Sequence, residues 1–230
     1  MYSHRLLVLS LFLAASTVSA ATITIDATAS GFYQSTGSAM AGNYATGWYA
    51  VGSSEMRGFF LFDLAGVTGS IVSAQLHVSS GNGSTTGYFS PDPSETLELY
   101  DVSTMAATLQ LGKGGASVFD DLGTGLMLGS ATLSHLIPTF INIELNGAGL
   151  SYLNSNLGPV AFGAAITTLT RGSENEAIFN STNASLTRQL ILVVEDGPNP
   201  LIPDPAAVPE PATLWLGLFL LPLLKKNQKQ

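Results

Sequence analysis

Met56-Arg-Gly-Phe-Phe-Leu-Phe-Asp63 and the nearby Val72-Ser-Ala-Gln-Leu-His-Val78 decide the fold class. The first is aromatic and rich in residues that suit a pleated sheet. The second alternates, which predicts a strand with Val72, Ala74, Leu76 and Val78 on one face. Working outward, Ile23–Ala27 alternates in the same way. Thr96–Val102 sets Leu97, Leu99 and Asp101 on one side against Glu98 and Tyr100 on the other. Further strands are predicted at Leu126–Leu133, Phe140–Leu145, Val160–Thr168 and Arg188–Val194. Only Ala148–Leu157 reads as a helix, through Leu150, Leu153 and Leu157 at helical spacing. No repeat of fixed period is visible, which argues against a solenoid or propeller. The expectation is all-β: an antiparallel β-sandwich with one short helix, spanning 21–195.

Composition agrees. Of 230 residues, 46% are hydrophobic and only 10% charged, so the chain has the means to build a core. Between Ala21 and Ala207 there are four basic side chains (Arg57, Lys113, Arg171, Arg188) and fifteen acidic ones, a net charge of −11. Four scattered cations cannot neutralise a phosphate backbone, and nucleic-acid binding is excluded. With no cysteine, thiol catalysis, thiolate metal sites and disulfides are excluded too.

The two ends differ from the middle. His4 and Arg5 precede the apolar run Leu6–Ala15 and the small residues Val18-Ser19-Ala20. This is the pattern of a signal peptide over 1–20, with signal peptidase cutting between Ala20 and Ala21; ten apolar-rich residues are too few to span a bilayer. At the other end, 196–207 is a linker, and six of the chain's eleven prolines fall between Pro198 and Pro211. Such a segment favours a stiff, extended chain, with a reach of roughly 37 Å over twelve residues. Then come Val208-Pro209-Glu210-Pro211, an apolar stretch from Ala212 to Leu224, and a basic tail carrying Lys225, Lys226 and Lys229. That order suits a stop-transfer segment with its lysines on the cytoplasmic side. At 1.5 Å per residue the stretch covers roughly 20 Å of a core about 30 Å thick, so Lys225 must snorkel or the bilayer thin.

The segment 208–230 resembles the PEP-CTERM sorting signal of Gram-negative bacteria, although its basic tail uses lysine where that family favours arginine. The resemblance implies recognition by exosortase, transient anchoring in the inner membrane, and then release or transfer to the cell surface or extracellular matrix, commonly among exopolysaccharide producers and their biofilms. The stretch Arg57-Gly-Phe-Phe-Leu-Phe-Asp-Leu64 with Ile71-Val-Ser-Ala-Gln-Leu-His-Val78 is similar to the opening of jelly-roll domains of the DNRLRE and carbohydrate-binding-module kind. Those positions build core and turn, so the likeness speaks to fold and not to ligand.

Chemistry is thinly written. Only His77 and His135 follow the leader, and no G-x-S-x-G elbow accompanies them. Paired carboxylates are available for glycoside hydrolysis at Asp120 and Asp121, Glu98 and Asp101, or Glu174 and Glu176; a hydrolase would set two of them across a cleft, about 5–9 Å apart. Asp120-Asp121-Leu-Gly-Thr-Gly reads as a turn, with Asp120 and Asp121 as a candidate calcium site on a loop. Phe32, Tyr33, Tyr44, Trp48 and Tyr49 cluster early, and Tyr88 and Phe89 follow; Tyr44, Trp48 and Tyr49 are the candidate carbohydrate contacts. The sequons at Asn82, Asn180 and Asn183 carry no meaning behind a bacterial sorting tag. The expectation is a non-enzymatic surface or matrix protein with no required cofactor. A carbohydrate-binding module that holds extracellular polysaccharide is the alternative, and a polysaccharide hydrolase comes third.

Overall fold

The computed structural model describes residues 19–81, 87–136, 139–179 and 186–196. Residues 1–18 of the leader, the three sequon asparagines, the linker beyond Asp196 and the sorting segment lie outside the described residues.

The chain runs β1 (Ala20–Asp26), β2 (Ala29–Gln34), β3 (Ala39–Ala41), β4 (Thr46–Tyr49), β5 (Ser54–Asp63) and β6 (Ser70–Ser79). It continues through β7 (Tyr88–Phe89), β8 (Ser94–Asp101), α1 (Ala106–Gln110), α2 (Ala116–Asp121), β9 (Met127–Ser134) and β10 (Phe140–Glu144). The last elements are α3 (Gly147–Ser155), β11 (Pro159–Ile166), β12 (Glu176–Ile178) and β13 (Arg188–Glu195). One sheet has four strands in the order β1-β13-β6-β10. The other has nine, in the order β7-β12-β4-β5-β11-β8-β9, with β2 and β3 joined through β5. All the strand pairs are antiparallel. The protein is an all-β, jelly-roll-like sandwich.

β5 shows why. Phe59, Phe60, Leu61 and Phe62 are all buried, so this strand is covered on both faces. Phe60 and Phe62 enter the main core with Leu97, Leu99 and Phe162 of the same sheet, where they meet Leu76, Val78, Leu190 and Leu192 of the other. Phe59 and Leu61 face the opposite way and join Tyr33, Leu109, Val118, Phe119 and Leu122 in a second cluster. α1 and α2 therefore roof the outer face of the large sheet. Each fully buried Phe or Leu contributes about 1.5–3 kcal/mol, so this roof is a substantial part of the fold.

Three expectations need correction. There are three helices among the described residues, not one. α1 and α2 have five and six residues and no side-chain cap at their N-termini, so neither periodicity nor a cap residue announces them. The predicted helix is present as α3, started by Asn146, whose Oδ1 accepts from the Gly149 amide at 2.9 Å. It ends at Ser155, which leaves Leu157 exposed while Leu153 is fully buried. Finally, Val72 lies outside the core. β6 pairs Ser73 with Val193 but Ile71 with Val194, so Val72 is the extra residue of a bulge and Ile71 takes its place inside. Asn154 of α3 clamps that point: its Oδ1 accepts from the Ile71 amide and its Nδ2 donates to the Ile71 carbonyl, each at 2.9 Å. The rest of the alternation stands, with Ala74, Leu76 and Val78 buried.

Candidate functional site

Of the aromatic side chains clustered early in the chain, three are structural. Tyr44 is completely buried, packs on Phe60 and Phe179 at 5.4 and 5.3 Å, and donates to the Ser79 carbonyl at 3.0 Å. Burial pushes its phenol up to about 12, with the nearby Arg188 guanidinium acting the other way. Tyr44 therefore cannot touch a carbohydrate. Tyr33 is buried under α1 and α2 and donates to the Lys113 carbonyl at 2.9 Å. Phe32 is 6% exposed. Trp48 is half-buried, its indole donating to the Gly172 carbonyl at 3.1 Å. Tyr49, in contrast, stands 42% exposed.

Tyr49 opens onto a groove of about 430 Å³ at the β4–β12–β7 end of the large sheet. β4 supplies Tyr49 and β7 supplies Phe89, itself 36% exposed. The β2–β3 hairpin brings Gln34 and Met40, and Asn175 immediately precedes β12. Phe32, Ala45, Met56 and Ala177 form a small buried cluster of their own beneath these side chains. Asn43 completes the lining, with its Oδ1 accepting from the Ala45 amide at 3.2 Å. Apart from the Tyr49 phenol, no lining residue among the described residues is ionisable. The site is aromatic and carboxamide in character, with no charge.

A second constellation lies elsewhere. Asp92, Glu95 and Glu176 bring carboxylate oxygens within 4.8 Å of one another, and Glu95 and Glu176 are buried. Hard oxygen donors of this kind have the chemistry to hold a calcium ion. Each buried carboxylate also has protein donors. Ser90 Oγ donates to Glu95 Oε1 at 2.6 Å, and the Thr168 hydroxyl donates to its other oxygen. The Thr170 amide and hydroxyl and the Gly172 amide converge on Glu176 at 2.5, 2.6 and 3.1 Å.

Asp121 is at the end of α2, not on an open turn. Its carboxylate accepts from the backbone and hydroxyl of Ser103 at 3.3 and 2.8 Å, and from those of Thr104 at 2.8 and 2.6 Å. Asp120 is exposed, and its backbone carbonyl accepts from Arg57 Nη1 at 3.2 Å. The other carboxylates named from sequence are also placed. Glu98 takes the Tyr100 hydroxyl, Asp101 Oδ1 accepts from the Leu126 amide at 2.6 Å, and Glu174 is exposed. His77 Nδ1 lies 2.5 Å from Asn142 Oδ1, and its ring stacks on Phe140 at 4.8 Å. His135 is exposed. Among the described residues neither histidine bonds a serine or a carboxylate.

No family model matches this chain, and no curated protein matches it significantly. Geometry and sequence therefore carry the functional argument.

The carboxylate cradles predict an acid sensitivity with a definite sign. Burial alone would raise Glu176, but the Thr170 hydroxyl and the backbone amides of Gly172, Thr170 and Arg171 hold its carboxyl below the usual range. Burial likewise opposes, and the Thr104 and Ser103 donors win, at Asp121, which is also lowered. A carboxyl lowered by folding stabilises the folded state above its unfolded pKa and loses that contribution as pH falls through the folded value. Urea unfolding is expected to show stability falling below about pH 4.3, the ordinary glutamate value. Glu176→Gln should flatten that fall. An equally steep acid limb in the variant would refute the assignment.

Proposed function

We propose that this is an exported, non-enzymatic surface or extracellular-matrix protein of a Gram-negative bacterium, sorted by an exosortase-type system into the exopolysaccharide layer. The observation that carries the reading is the ordered C-terminal signal: Val208-Pro209-Glu210-Pro211, an apolar stretch, then Lys225, Lys226 and Lys229. Signal peptidase and exosortase are the partners this implies, with the inner membrane as a transient one.

The fold supports the same reading. β1 pairs with β13 along its whole length, with Ala20 opposite Glu195, and the Asp196 amide donates to the Ser19 carbonyl at 3.2 Å. The first and last strands of the domain are thus neighbours, and the linker that would carry the tether continues from β13. The order of events follows. Ala20 is the first residue of β1, and a cleavage site paired in a sheet is closed to a protease. Signal peptidase must therefore cut between Ala20 and Ala21 before β13, the last strand to emerge, closes over β1. The acid pairs that a hydrolase would need are engaged in structural hydrogen bonds at Glu98, Asp101 and Asp121, which favours the non-enzymatic reading.

The test is the intact mass of the protein recovered from its native host, together with the fraction that holds it. The expected mass begins at Ala21 and ends near Val208 to Pro211, in the outer surface or the medium. A mass that runs to Gln230 in the inner membrane would mean a permanent anchor and overturn the matrix assignment.

A further inference from the structure

We propose that the groove between Tyr49 and Phe89 is a binding site for an uncharged polysaccharide. The surface-protein reading enters only in saying where such a polymer is met.

The fold leaves one aromatic concavity uncovered. Among the described residues three Phe and Tyr side chains stand exposed; Phe140 is on the small sheet, whereas Tyr49 (42%) and Phe89 (36%) stand together with Met40 (49%) around one concavity. A sugar ring has an apolar face of C–H groups and a rim of hydroxyls that both donate and accept. Aromatic side chains suit the face, and neutral carboxamides, which also donate and accept, suit the rim. The groove offers that pairing, with Gln34 and Asn175 beside the rings. Asn175 is already oriented: its Oδ1 accepts from the Ala50 amide at 2.9 Å, which leaves its Nδ2 to donate. The platform is held by β4, β7 and β12, so the rings are presented from paired strands and little ordering is needed on binding.

Charge selects among polymers. Among the described residues no Asp, Glu, Lys, Arg or His lines the groove, so neither a polyanion nor a polycation finds a counter-charge there. The net charge of −9 over 21–195 repels a polyanion in addition. An uncharged polymer is what remains.

The experiment is native gel electrophoresis of the protein purified from its host, with hydroxyethylcellulose, xyloglucan, galactomannan or dextran in the gel, and polygalacturonate as the polyanion. At least one neutral polymer is expected to retard the protein. Tyr49→Ala and Phe89→Ala should each weaken that retardation about tenfold, a loss of ~1.4 kcal/mol, at unchanged melting midpoint. Tyr49→Phe, which keeps the ring, and Leu111→Ala, an exposed residue outside the groove, should bind as the wild type does. Retardation by no neutral polymer, retardation by polygalacturonate alone, or undiminished binding in both alanine variants would each overturn the site. Failure here would leave the mass and location of the mature protein untouched. A full-length mass in the inner membrane would overturn the sorting route and leave the groove standing.

Discussion

Arg57→Ala is expected to destabilise the domain by about 3 kcal/mol, near the lower end of what breaking a buried ion pair costs. Arg57 lies on β5 with its side chain 17% exposed, and its Nε donates to Glu55 Oε1 at 3.0 Å. The same guanidinium reaches across to α2, where Nη1 donates to the carbonyls of Phe119 and Asp120 at 3.1 and 3.2 Å. Its carbon sits 4.1 Å from the centre of the Phe119 ring. Alanine would remove the cation–π contact, leave the Phe119 carbonyl short of a donor while that of Asp120 keeps Thr124 Oγ1 and the Gly123 amide, and strip one partner from a carboxylate that is 10% exposed. Glu55 keeps Arg171, whose Nη2 lies 2.7 Å from Oε2, so the loss stays at the lower end. Arg57→Lys should recover less than half, because an ammonium cannot lie flat on Phe119 while donating to both elements. Urea unfolding at neutral pH decides it. A change under about 0.5 kcal/mol, the scatter of ordinary surface substitutions, would show that α2 does not depend on this side chain.

Arg57 also shows where sequence reading succeeded and where it stopped. Its strand was legible because aromatic residues crowd a short run, and β6 and β8 because their alternation matches the pleat. Glu95, Leu97 and Leu99 are buried on one face of β8 while Glu98 and Tyr100 face away, as a period of two requires. The roof over β5 was not legible. Helices of five and six residues cannot display a period, and Gly115 at the N-cap of α2 carries no capping side chain. The bulge at Val72 was equally silent, since one extra residue in a strand changes phase without changing composition.

Site residues failed for a different reason. Tyr44 and Tyr49 are five positions apart in the same Gly/Ser-rich stretch, and composition cannot say that one seals the core and the other faces solvent. Gln34, Tyr49, Phe89 and Asn175 come from four separate strands or their flanks, so no local motif joins them. The acidic group is assembled the same way. In sequence Glu176 pairs with its neighbour Glu174, whereas the fold sets it beside Asp92 and Glu95. Exposed Tyr49 was legible as a candidate; its companions needed the sheet order.

Gly163→Ala is expected to cost about 3 kcal/mol, the upper part of the usual range for overpacking, although it adds one methyl group to a strand. Gly163 lies in the middle of β11, paired with Phe59 on one side and Tyr100 on the other. The end of α2 rests on it. A Cβ there would stand 2.4 Å from the Leu122 carbonyl oxygen and 2.7 Å from its Cα, both backbone atoms that no rotamer change can move. Relief requires α2 to lift from the sheet, which opens the packing of Val118, Phe119 and Leu122 and lengthens the bonds that Arg57 makes to the helix end. In a domain of this size 3 kcal/mol corresponds to a fall of roughly 6–12 °C in melting midpoint. Gly158→Ala is the control: nothing lies within 4 Å of its Cβ position, so it should be neutral or slightly stabilising. The two large predictions also constrain each other. Both act through the seating of α2, so Arg57→Ala combined with Gly163→Ala should cost less than the sum of the two. Strict additivity would mean that the helix is not the shared element, and a Gly163→Ala midpoint equal to that of Gly158→Ala would mean that it does not press on β11 at all.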